Sequence, residues 1–301
     1  MNAPDLSIVI PNYNGECVLT ACLDSLLSPS GISKEVFVVD NASKDGSRDL
    51  VRKSYPGVRL MEQPLNMGFG AACNRGAALS TGRYLLFLNS DTVVQRNALA
   101  DLVCFADRHS EMSIGALGPL LRDRSGSPVH SFGGFPSALG QLGIWADRLS
   151  GGYEKRVRQT AARQGLSHFA VDYVTGAALL VPRAVFERIG GFDETFFLYF
   201  EDTELQARMA KAGYGRYVLC GPAILHLGNG GKQRSNEIRV LTYRGLLRYH
   251  QLRMPANRFR LYRLLFSFFA ILHLMNVTYR PIENARFVAA CLRESLAHTR
   301  S

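Results

Sequence analysis

A five-residue apolar run that stops at three polar residues most constrains the fold of this 301-residue chain. Residues 84–88 read Tyr-Leu-Leu-Phe-Leu, and Asn89, Ser90 and Asp91 follow directly. A short, wholly apolar run is typical of a strand buried on both faces of a parallel sheet. Open α/β sheets bind ligands at the carboxyl ends of such strands. Asp91 is therefore placed either to hold a divalent cation against a diphosphate or to cap a helix, and the run alone favours neither.

The same pattern recurs along the first 120 residues. Apolar strands are predicted at residues 6–10, 36–39 and 58–61, and helical patterns separate them. Alternating strands and helices predict an α/β fold with a mostly parallel sheet and right-handed crossovers. Because polar residues follow each strand, we expect their side chains to converge on one edge of the sheet.

Charge is distributed unevenly between the two ends of the chain. Residues 232–301 hold 13 Lys/Arg and 3 Asp/Glu, whereas the 22 Lys/Arg and 22 Asp/Glu of residues 1–231 cancel. The last 70 residues therefore carry the whole net charge of +10 and have a different environment or partner from the rest.

The six cysteines show no metal-site or disulfide spacing. Together with the lack of a signal-peptide pattern, this predicts a cytoplasmic protein with reduced thiols.

Short blocks along residues 5–230 occur in an order that characterises one enzyme family. They read SIVIPNYN at 7–14, VVDNASKDGS at 38–47, NMGFGAACN at 66–74 and LNSD at 88–91, followed by TGA at 175–177, GGFDE at 190–194 and EDTE at 201–204. In this order they resemble the inverting glycosyltransferase family 2, most of all the bacterial rhamnosyltransferase-type enzymes of surface polysaccharide synthesis. The resemblance implies a GT-A fold, which is a Rossmann-like, mostly parallel sheet flanked by helices.

The resemblance also implies a donor site for a nucleoside-diphosphate sugar, with dTDP-rhamnose favoured and a UDP-sugar as the alternative. Asp40 would contact the base. The remaining implied donor-site residues are Pro11, Tyr13, Asn14, Asn41, Asn74, Arg75, Asn89 and Ser90. Asp91 would hold Mn²⁺ or Mg²⁺, with His226 as a further ligand or as a structural histidine. Since Asn89 stands where the family's motif has its first Asp, a site with two carboxylates is in doubt.

Inverting transfer is a single displacement, so it needs one base for the acceptor hydroxyl and a counter-charge for the departing diphosphate. The resemblance assigns the base to Asp202, with Glu201 orienting the acceptor. The alternative is that both acids only complement a helix dipole.

The expected acceptor is a glycan or a polyprenyl-diphosphate-linked glycan. The alternative function is a catalytically silent relative that binds a nucleotide sugar or glycan as a scaffold at the membrane.

We expect two domains. Residues 1–231 form the glycosyltransferase domain, with a nucleotide-binding half at about 1–120 and an acceptor half at about 165–231; residues 122–168 show no clear periodicity. Residues 232–301 are predicted to form a basic helical extension whose apolar run, 264–272, is too short to span a bilayer. This composition favours peripheral binding to the anionic inner face of a bacterial membrane. Packing on the catalytic domain or on a second copy is the alternative, and no nucleic-acid module is present.

Overall fold

Strands and helices alternate along most of the first 122 residues of the protein, and the pattern becomes irregular after them. The structure, a computed structural model, describes residues 3–137, 152–228, 236–265 and 289. Its strands are β1 (Leu6–Asn12), β2 (Lys34–Asp40), β3 (Arg59–Glu62), β4 (Tyr84–Leu88), β5 (Thr92–Val94), β6 (Ile114–Arg122), β7 (Phe132–Gly133), β8 (His168–Ala170), β9 (Tyr173–Val174), β10 (Ala178–Pro182) and β11 (Gly215–His226). Its helices are α1 (Glu16–Leu27), α2 (Ser47–Ser54), α3 (Phe69–Leu79), α4 (Ala98–Arg108), α5 (Tyr153–Arg163), α6 (Arg183–Ile189), α7 (Glu201–Lys211) and α8 (Asn236–Arg253). Residues 256–265 are helical as well.

The main sheet has the order β3-β2-β1-β4-β10-β6-β11-β5, with β8 paired to β11. The strands β3, β2, β1 and β4 are parallel to their neighbours, as are β6 and β11. This confirms the predicted α/β fold with a largely parallel sheet. The antiparallel strand β10, which lies between β4 and β6, was not predicted. A strand's apolar pattern encodes its burial, whereas its direction is decided by the pairing of distant segments.

The predicted burial of β4 on both faces is confirmed. Leu86 and Leu88 pack in one core cluster with Ile8 and Val38. Leu85 and Phe87 face the opposite side and belong to a second cluster. Because side chains alternate between the two faces of a strand, five consecutive apolar residues are what burial on both faces requires. Each Leu buried here stabilises the fold by about 1.5–3 kcal/mol.

Helix α3 lies against the sheet through small residues. A Cβ added at Gly76 would lie 2.3 Å from Cγ1 of Val9 in β1. At Gly70 an added Cβ would lie 3.0 Å from Cβ of Phe192. The groups that approach this helix closely are the sheet and the segment after α6. Glycine is needed at both positions because a side chain would separate the elements that carry the site.

The region 122–168, which had no clear periodicity, contains strand β7 and helix α5 within its described residues, and β8 begins at its last residue; β7 pairs with β9, which follows the region. The elements β7, β8 and β9 are two or three residues long, too short for a recognisable period. Strand β5 was also missed for this reason. Residues 138–151 lie outside the described residues.

Contacts divide the chain into two units. The first contains the described residues up to Phe135, together with Tyr153–Thr195 and residues 201–228, and holds the main sheet. The second contains Phe196–Phe200, the described part of 136–152 and the C-terminal helices. Its core is formed by Tyr243, Leu247, Phe259 and Tyr262. The predicted boundary at 231/232 stays a prediction, and most of the apolar run 264–272 lies outside the described residues.

Candidate active site

Three polar side chains join the ends of β1 and β2. Asn12 and Asp40 are register partners at the carboxyl ends of these strands, and both are buried. Asn12 Nδ2 donates to Asp40 Oδ2 at 3.1 Å and to Ser43 Oγ at 3.3 Å, and the backbone N–H of Ser43 donates to Asp40 Oδ1 at 2.9 Å. Arg48 Nε lies 3.8 Å from Asp40 Oδ1. The predicted base-binding carboxylate is thus held rigidly at the sheet edge.

The loop after β1 is hydrogen-bonded to the loop after β2. The backbone N–H of Asn14 donates to Ser43 Oγ at 2.9 Å, and Asn14 Oδ1 accepts from the N–H of Lys44 at 2.8 Å. Asn14 adopts a positive φ of 52°, a conformation that Asn tolerates better than most residues. Pro11 lies within β1, opposite Val39, so the strand continues through the proline at which it was predicted to end. Tyr13 is 50% exposed and presents its ring to solvent.

Two amide oxygens at this edge are buried without a hydrogen-bond partner among the described residues. Asn41 Nδ2 donates to the carbonyl of Gly68 at 3.1 Å, yet Asn41 Oδ1 accepts no hydrogen bond from the described residues. Asn12 Oδ1 is likewise unpaired within that part of the chain. It lies next to Gly15, where an added Cβ would be 2.3 Å from this oxygen and 3.2 Å from Ser90 Oγ. Buried unpaired acceptors are costly, so both atoms are candidates for ligand or water contacts.

Asn74 and Arg75, which were predicted to belong to the donor site, have different surroundings. Asn74 Nδ2 donates to the Phe192 carbonyl and to Glu194 Oε1, both at 2.9 Å, and Asn74 Oδ1 accepts from the Phe192 N–H at 2.9 Å. These bonds fasten α3 to the segment after α6. Arg75 is exposed, and its guanidinium forms no ion pair with the rest of the described chain. A direct donor contact by either residue stays a prediction.

The structure brings Asp91 and His226 together although 134 residues separate them in sequence. His226 Nε2 lies 3.2 Å from Asp91 Oδ1, and each side chain is about one-quarter exposed. The pairing follows from β11 lying antiparallel to β5, which sets His226 opposite Thr92. Asn89 Nδ2 lies 3.4 Å from the same His226 nitrogen. Within the described residues no cluster holds three or more His, Cys, Asp or Glu side chains arranged for a metal ion.

Asp202 lies at the start of α7 and receives three hydrogen bonds. The N–H of Gly176 donates to Oδ2 at 2.7 Å, while the N–H and hydroxyl of Thr203 donate to Oδ1 at 2.6 and 3.1 Å. Burial raises the pKa of Asp202, although these hydrogen bonds act in the opposite direction. A carboxylate with a raised pKa is better suited to accept a proton near neutral pH.

Glu201 is more deeply buried than its neighbour. Its side chain packs against α3 near Gly70. Its Oε2 atom has no hydrogen-bond partner within the described residues. Burial first, and then the adjacent charge of Asp202, raises the pKa of Glu201 well above its usual value. The two acids therefore differ: Glu201 retains its proton more strongly, and Asp202 is the better ionised base.

Residues 174–177 connect the acid pair Glu201–Asp202 to the loop that carries Asp91. Gly176 donates to Asp202, and the carbonyl of the next residue, Ala177, accepts from the N–H of Asn89 at 3.0 Å. One short segment therefore fixes Asp202 beside the Asn89–Asp91 loop. The sequence named the 175–177 block but not its partner Gln206, which is fully buried. Gln206 accepts from the N–H of Val174 at 2.8 Å and donates to the carbonyl of Val174 at 2.6 Å. A single Gln within a helical sequence belongs to no motif, so the sequence did not indicate that it holds this segment.

Residues 7–133 match the family model described as glycosyl transferase family 2. A curated N-acetylglucosaminyl-diphospho-decaprenol L-rhamnosyltransferase of Mycobacterium tuberculosis is 32% identical over 235 residues, which cover 73% of this chain and 75% of the relative. The chain belongs to glycosyltransferase family 2. It is a glycosyltransferase, as the sequence blocks predicted. A PGL/p-HBAD biosynthesis glycosyltransferase of Mycobacterium bovis is 37% identical over 113 residues, covering 36% of this family 2 chain and 44% of the relative.

Solved structures agree with the GT-A fold of this family 2 enzyme. The mannosyltransferase PcManGT of Pyrobaculum calidifontis, solved with GDP-Man and Mn²⁺, has a TM-score of 0.57 at 17% identity, covering 100% of this chain and 77% of its own. Residues 1–349 of TarS from S. aureus give a TM-score of 0.53 at 17% identity, covering 98% of this chain and 73% of that chain. The predicted fold class is confirmed.

Proposed function

We propose that this glycosyltransferase moves a rhamnosyl group from a nucleoside-diphosphate donor, with inversion, to an N-acetylglucosaminyl-diphospho-lipid acceptor in cell-envelope glycan synthesis. The observation that carries the proposal is the 32% identity, along three-quarters of the relative, to an enzyme named for that transfer. The geometry supports it, because one backbone segment holds Asp202 beside the Asn89–Asp91 loop. dTDP is the favoured donor nucleotide.

Asp202 is the proposed general base. Its carboxylate takes the proton of the acceptor hydroxyl while that oxygen bonds to the anomeric carbon and the bond to the donor diphosphate breaks. The N–H groups of Gly176 and Thr203 fix the orientation of the carboxylate. Glu201, which holds its proton to a higher pH, orients the acceptor instead of competing for the proton.

Asp91 and His226 are the proposed cation ligands. Their nearest donor atoms are 3.2 Å apart, and a carboxylate oxygen with an imidazole nitrogen suits Mn²⁺, with Mg²⁺ as the alternative. Cations that bind substrate diphosphates commonly take only one or two protein ligands, so a two-residue site fits. When bound, the cation supplies the counter-charge for the departing diphosphate. Asp40, Asn41 and Asn12 lie at the adjacent strand ends, where they are proposed to contact the nucleoside.

A thermal-shift panel tests the donor and cation assignments. UDP, GDP, dTDP and CDP are each added to the full chain with and without Mn²⁺ or Mg²⁺, because a ligand that binds only the native state raises the Tm. We expect dTDP with a cation to give the largest shift. Transfer from dTDP-rhamnose to a short-chain prenyl-diphospho-N-acetylglucosamine is then measured. Transfer from UDP-sugars alone, or a retained anomeric configuration in the product, would contradict the proposal.

The second unit is proposed to bind an anionic membrane surface. Its described helices expose four leucines, which are Leu252, Leu261, Leu264 and Leu265, at 40–67% of their surface. Arg253, Arg258 and Arg260 are exposed on the same two helices. Apolar and basic groups presented together favour binding to anionic lipid headgroups. No helix within the described ranges is long and apolar enough to cross a bilayer.

Vesicle flotation tests the membrane assignment with a matched control. We expect the full chain to float with vesicles of phosphatidylcholine and phosphatidylglycerol, and the double variant Leu261→Gln/Leu264→Gln to remain at the bottom. Leu79→Gln in α3 is the control, since Leu79 and Leu261 are both 58% exposed. If the double variant floats like wild type, these leucines do not bind membrane. If it instead shifts from dimer to monomer in sedimentation, they contact a second copy.

A further inference from the structure

A hydrogen-bonded cluster that the proposed mechanism does not use lies at the end of the β7–β9 sheet. Glu154 of α5 accepts from His130 Nδ1 at 2.7 Å and from the N–H of Ser131 at 3.0 Å. Arg158, one turn further along α5, donates to Glu154 and to the carbonyl of Val129. Although burial opposes the effect, the bond from His130 holds the pKa of Glu154 below its usual value. An ionised carboxylate therefore fixes the imidazole ring.

The ring of His130 is held in place yet remains open to solvent. Its side chain is 59% exposed. With Nδ1 bonded to Glu154, Nε2 points away from the carboxylate and lies 3.5 Å from Tyr173 Oη. In the imidazolium form this nitrogen is an N–H donor suited to an anionic oxygen.

Residues 173–177, which begin with strand β9, contact several parts of the site in turn. Tyr173 pairs with Gly133 beside His130, and the N–H of Thr175 donates to the carbonyl of Ser131 at 2.9 Å. Gly176 contacts Asp202, and Ala177 contacts Asn89. Along this segment, the contact to Asp202 therefore falls between the contacts to the β7 segment that follows His130 and the contact to Asn89.

Two further observations connect this cluster with a ligand. Thr175 is 9% exposed, and its Oγ1 has no hydrogen-bond partner within the described residues, so a buried hydroxyl is unpaired on the segment whose backbone joins Ser131 to Asp202. The charge of His130 also acts on Asp202: burial raises the pKa of Asp202, and a proton on His130 lowers it. The two side chains are therefore within electrostatic range of each other.

We propose that His130, held by Glu154, binds the diphosphate of the acceptor beside Asp202. This inference rests on the proposed acceptor class. With the donor diphosphate at Asp91 as proposed, an acceptor whose hydroxyl meets Asp202 extends its other end away from Asp91, and the order of contacts along residues 173–177 favours His130 as the group that this end meets. Glu154 and Arg158 anchor Val129 and Ser131 without help from the imidazole, so His130 is not needed to hold the loop.

Calorimetric titration of the full chain, without donor, tests the assignment. The two probes are a short-chain prenyl-diphospho-N-acetylglucosamine and the neutral prenyl N-acetylglucosaminide that lacks the diphosphate. Charge-assisted hydrogen bonds to a phosphate are strong, so we expect His130→Gln to weaken binding of the diphosphate probe about 10-fold or more and to leave the neutral probe unchanged. His130→Arg should restore most of the affinity because it restores the charge.

Lys155→Ala is the matched control, since it removes a positive charge from the exposed face of the same helix, α5. It should leave both affinities within about twofold, as expected of a solvent-screened charge. In transfer assays His130→Gln should raise the acceptor KM with little change in kcat. An equal loss for both probes, or no loss for either, would overturn the assignment.

The binding readout also separates this inference from the proposed function. If wild type binds the diphosphate probe in a His130-dependent manner but transfers no rhamnose, the donor or reaction assignment has failed and the acceptor site stands. If wild type transfers rhamnose and His130→Gln has an unchanged acceptor KM, the function stands and the His130 assignment has failed. If neither probe binds wild type, the His130 assignment is overturned as well.

Discussion

The two halves of the site present buried carboxyl groups in opposite ways. At the edge proposed to bind the donor, called the donor edge, Asp40 receives hydrogen bonds from Asn12 and Ser43 and lies beside Arg48. At the edge proposed to bind the acceptor, called the acceptor edge, one oxygen of Glu201 has no partner among the described residues, and burial raises the pKa values of both Glu201 and Asp202. Hydrogen-bond donors fix a carboxylate in place, whereas burial that raises the pKa of a carboxyl group brings its proton exchange closer to neutral pH. The first arrangement suits recognition and the second suits proton transfer.

The largest effect should come from removing the proposed base. Asp202→Asn keeps the shape of the side chain but cannot take the acceptor proton, so we expect kcat to fall by about 10²–10⁴-fold. Donor binding, measured by titration with dTDP and cation, should stay within about threefold because Asp202 lies outside the donor edge. Asp49→Asn, an exposed substitution on α2, is the control. A variant that turns over within tenfold of wild type would remove Asp202 as the base.

Removing one of the two proposed cation ligands, Asp91 or His226, should have the next largest effect. Asp91→Ala should lower kcat/KM by at least about 10²-fold, since charge stabilisation by a cation is worth several kcal/mol. The thermal shift produced by dTDP should also cease to depend on Mn²⁺. His226→Gln should shift the cation concentration for half-maximal activity upward. A cation dependence that is identical in both variants and wild type would place the cation elsewhere.

A smaller effect is expected at the donor edge. In Asp40→Ala, Asn12 Nδ2 and the N–H of Ser43 lose their acceptor, which costs about 1–3 kcal/mol of stability, and the donor loses a contact. We expect the donor Kd to rise about tenfold, while kcat at saturating donor changes less than twofold. Titration with dTDP and cation measures the first value, and initial rates measure the second. A fall in kcat with unchanged donor affinity would assign Asp40 to the chemical step.

The smallest effect is a pH-dependent difference in Tm, which tests whether the carboxyl group of Glu201 is buried. A carboxyl group whose pKa is raised in the folded state binds protons more tightly there than in the unfolded chain. It therefore destabilises the fold as pH rises above the unfolded pKa, near 4.3 for Glu, until its folded pKa is passed. Glu201→Gln removes this penalty, so its Tm relative to wild type should increase by a few degrees between pH 5 and pH 8. Glu111→Gln, on the surface, should show no such trend; a flat difference for Glu201→Gln would mean that its carboxyl group is solvated.

Transfer should also be lost as the pH falls through the raised pKa of Asp202, because the base is then protonated. The acid limb of the kcat profile should thus lie at a higher pH than a free aspartate gives.

The sequence by itself determined the features that depend on neighbouring residues. The apolar run Tyr84–Leu88 predicts a strand buried on both faces because a strand's side chains alternate between faces, and both core clusters include it. The polar residues that follow the strands fall at one edge because β1, β2 and β4 are parallel. The family blocks carried the acids at 201 and 202 by residue identity alone.

Only the tertiary structure decided which distant residues meet and how well each is solvated. The contact between Asp91 and His226 depends on β11 lying antiparallel to β5, and the bond between Gly176 and Asp202 depends on α7 packing beside β9. No local period encodes such pairings, because they depend on the order of the strands in the sheet. The Glu201 oxygen that lacks a partner in the described part of the chain and the fixed ring of His130 are likewise products of burial and packing. These features distinguish residues that the sequence presents as equivalent acids and bases.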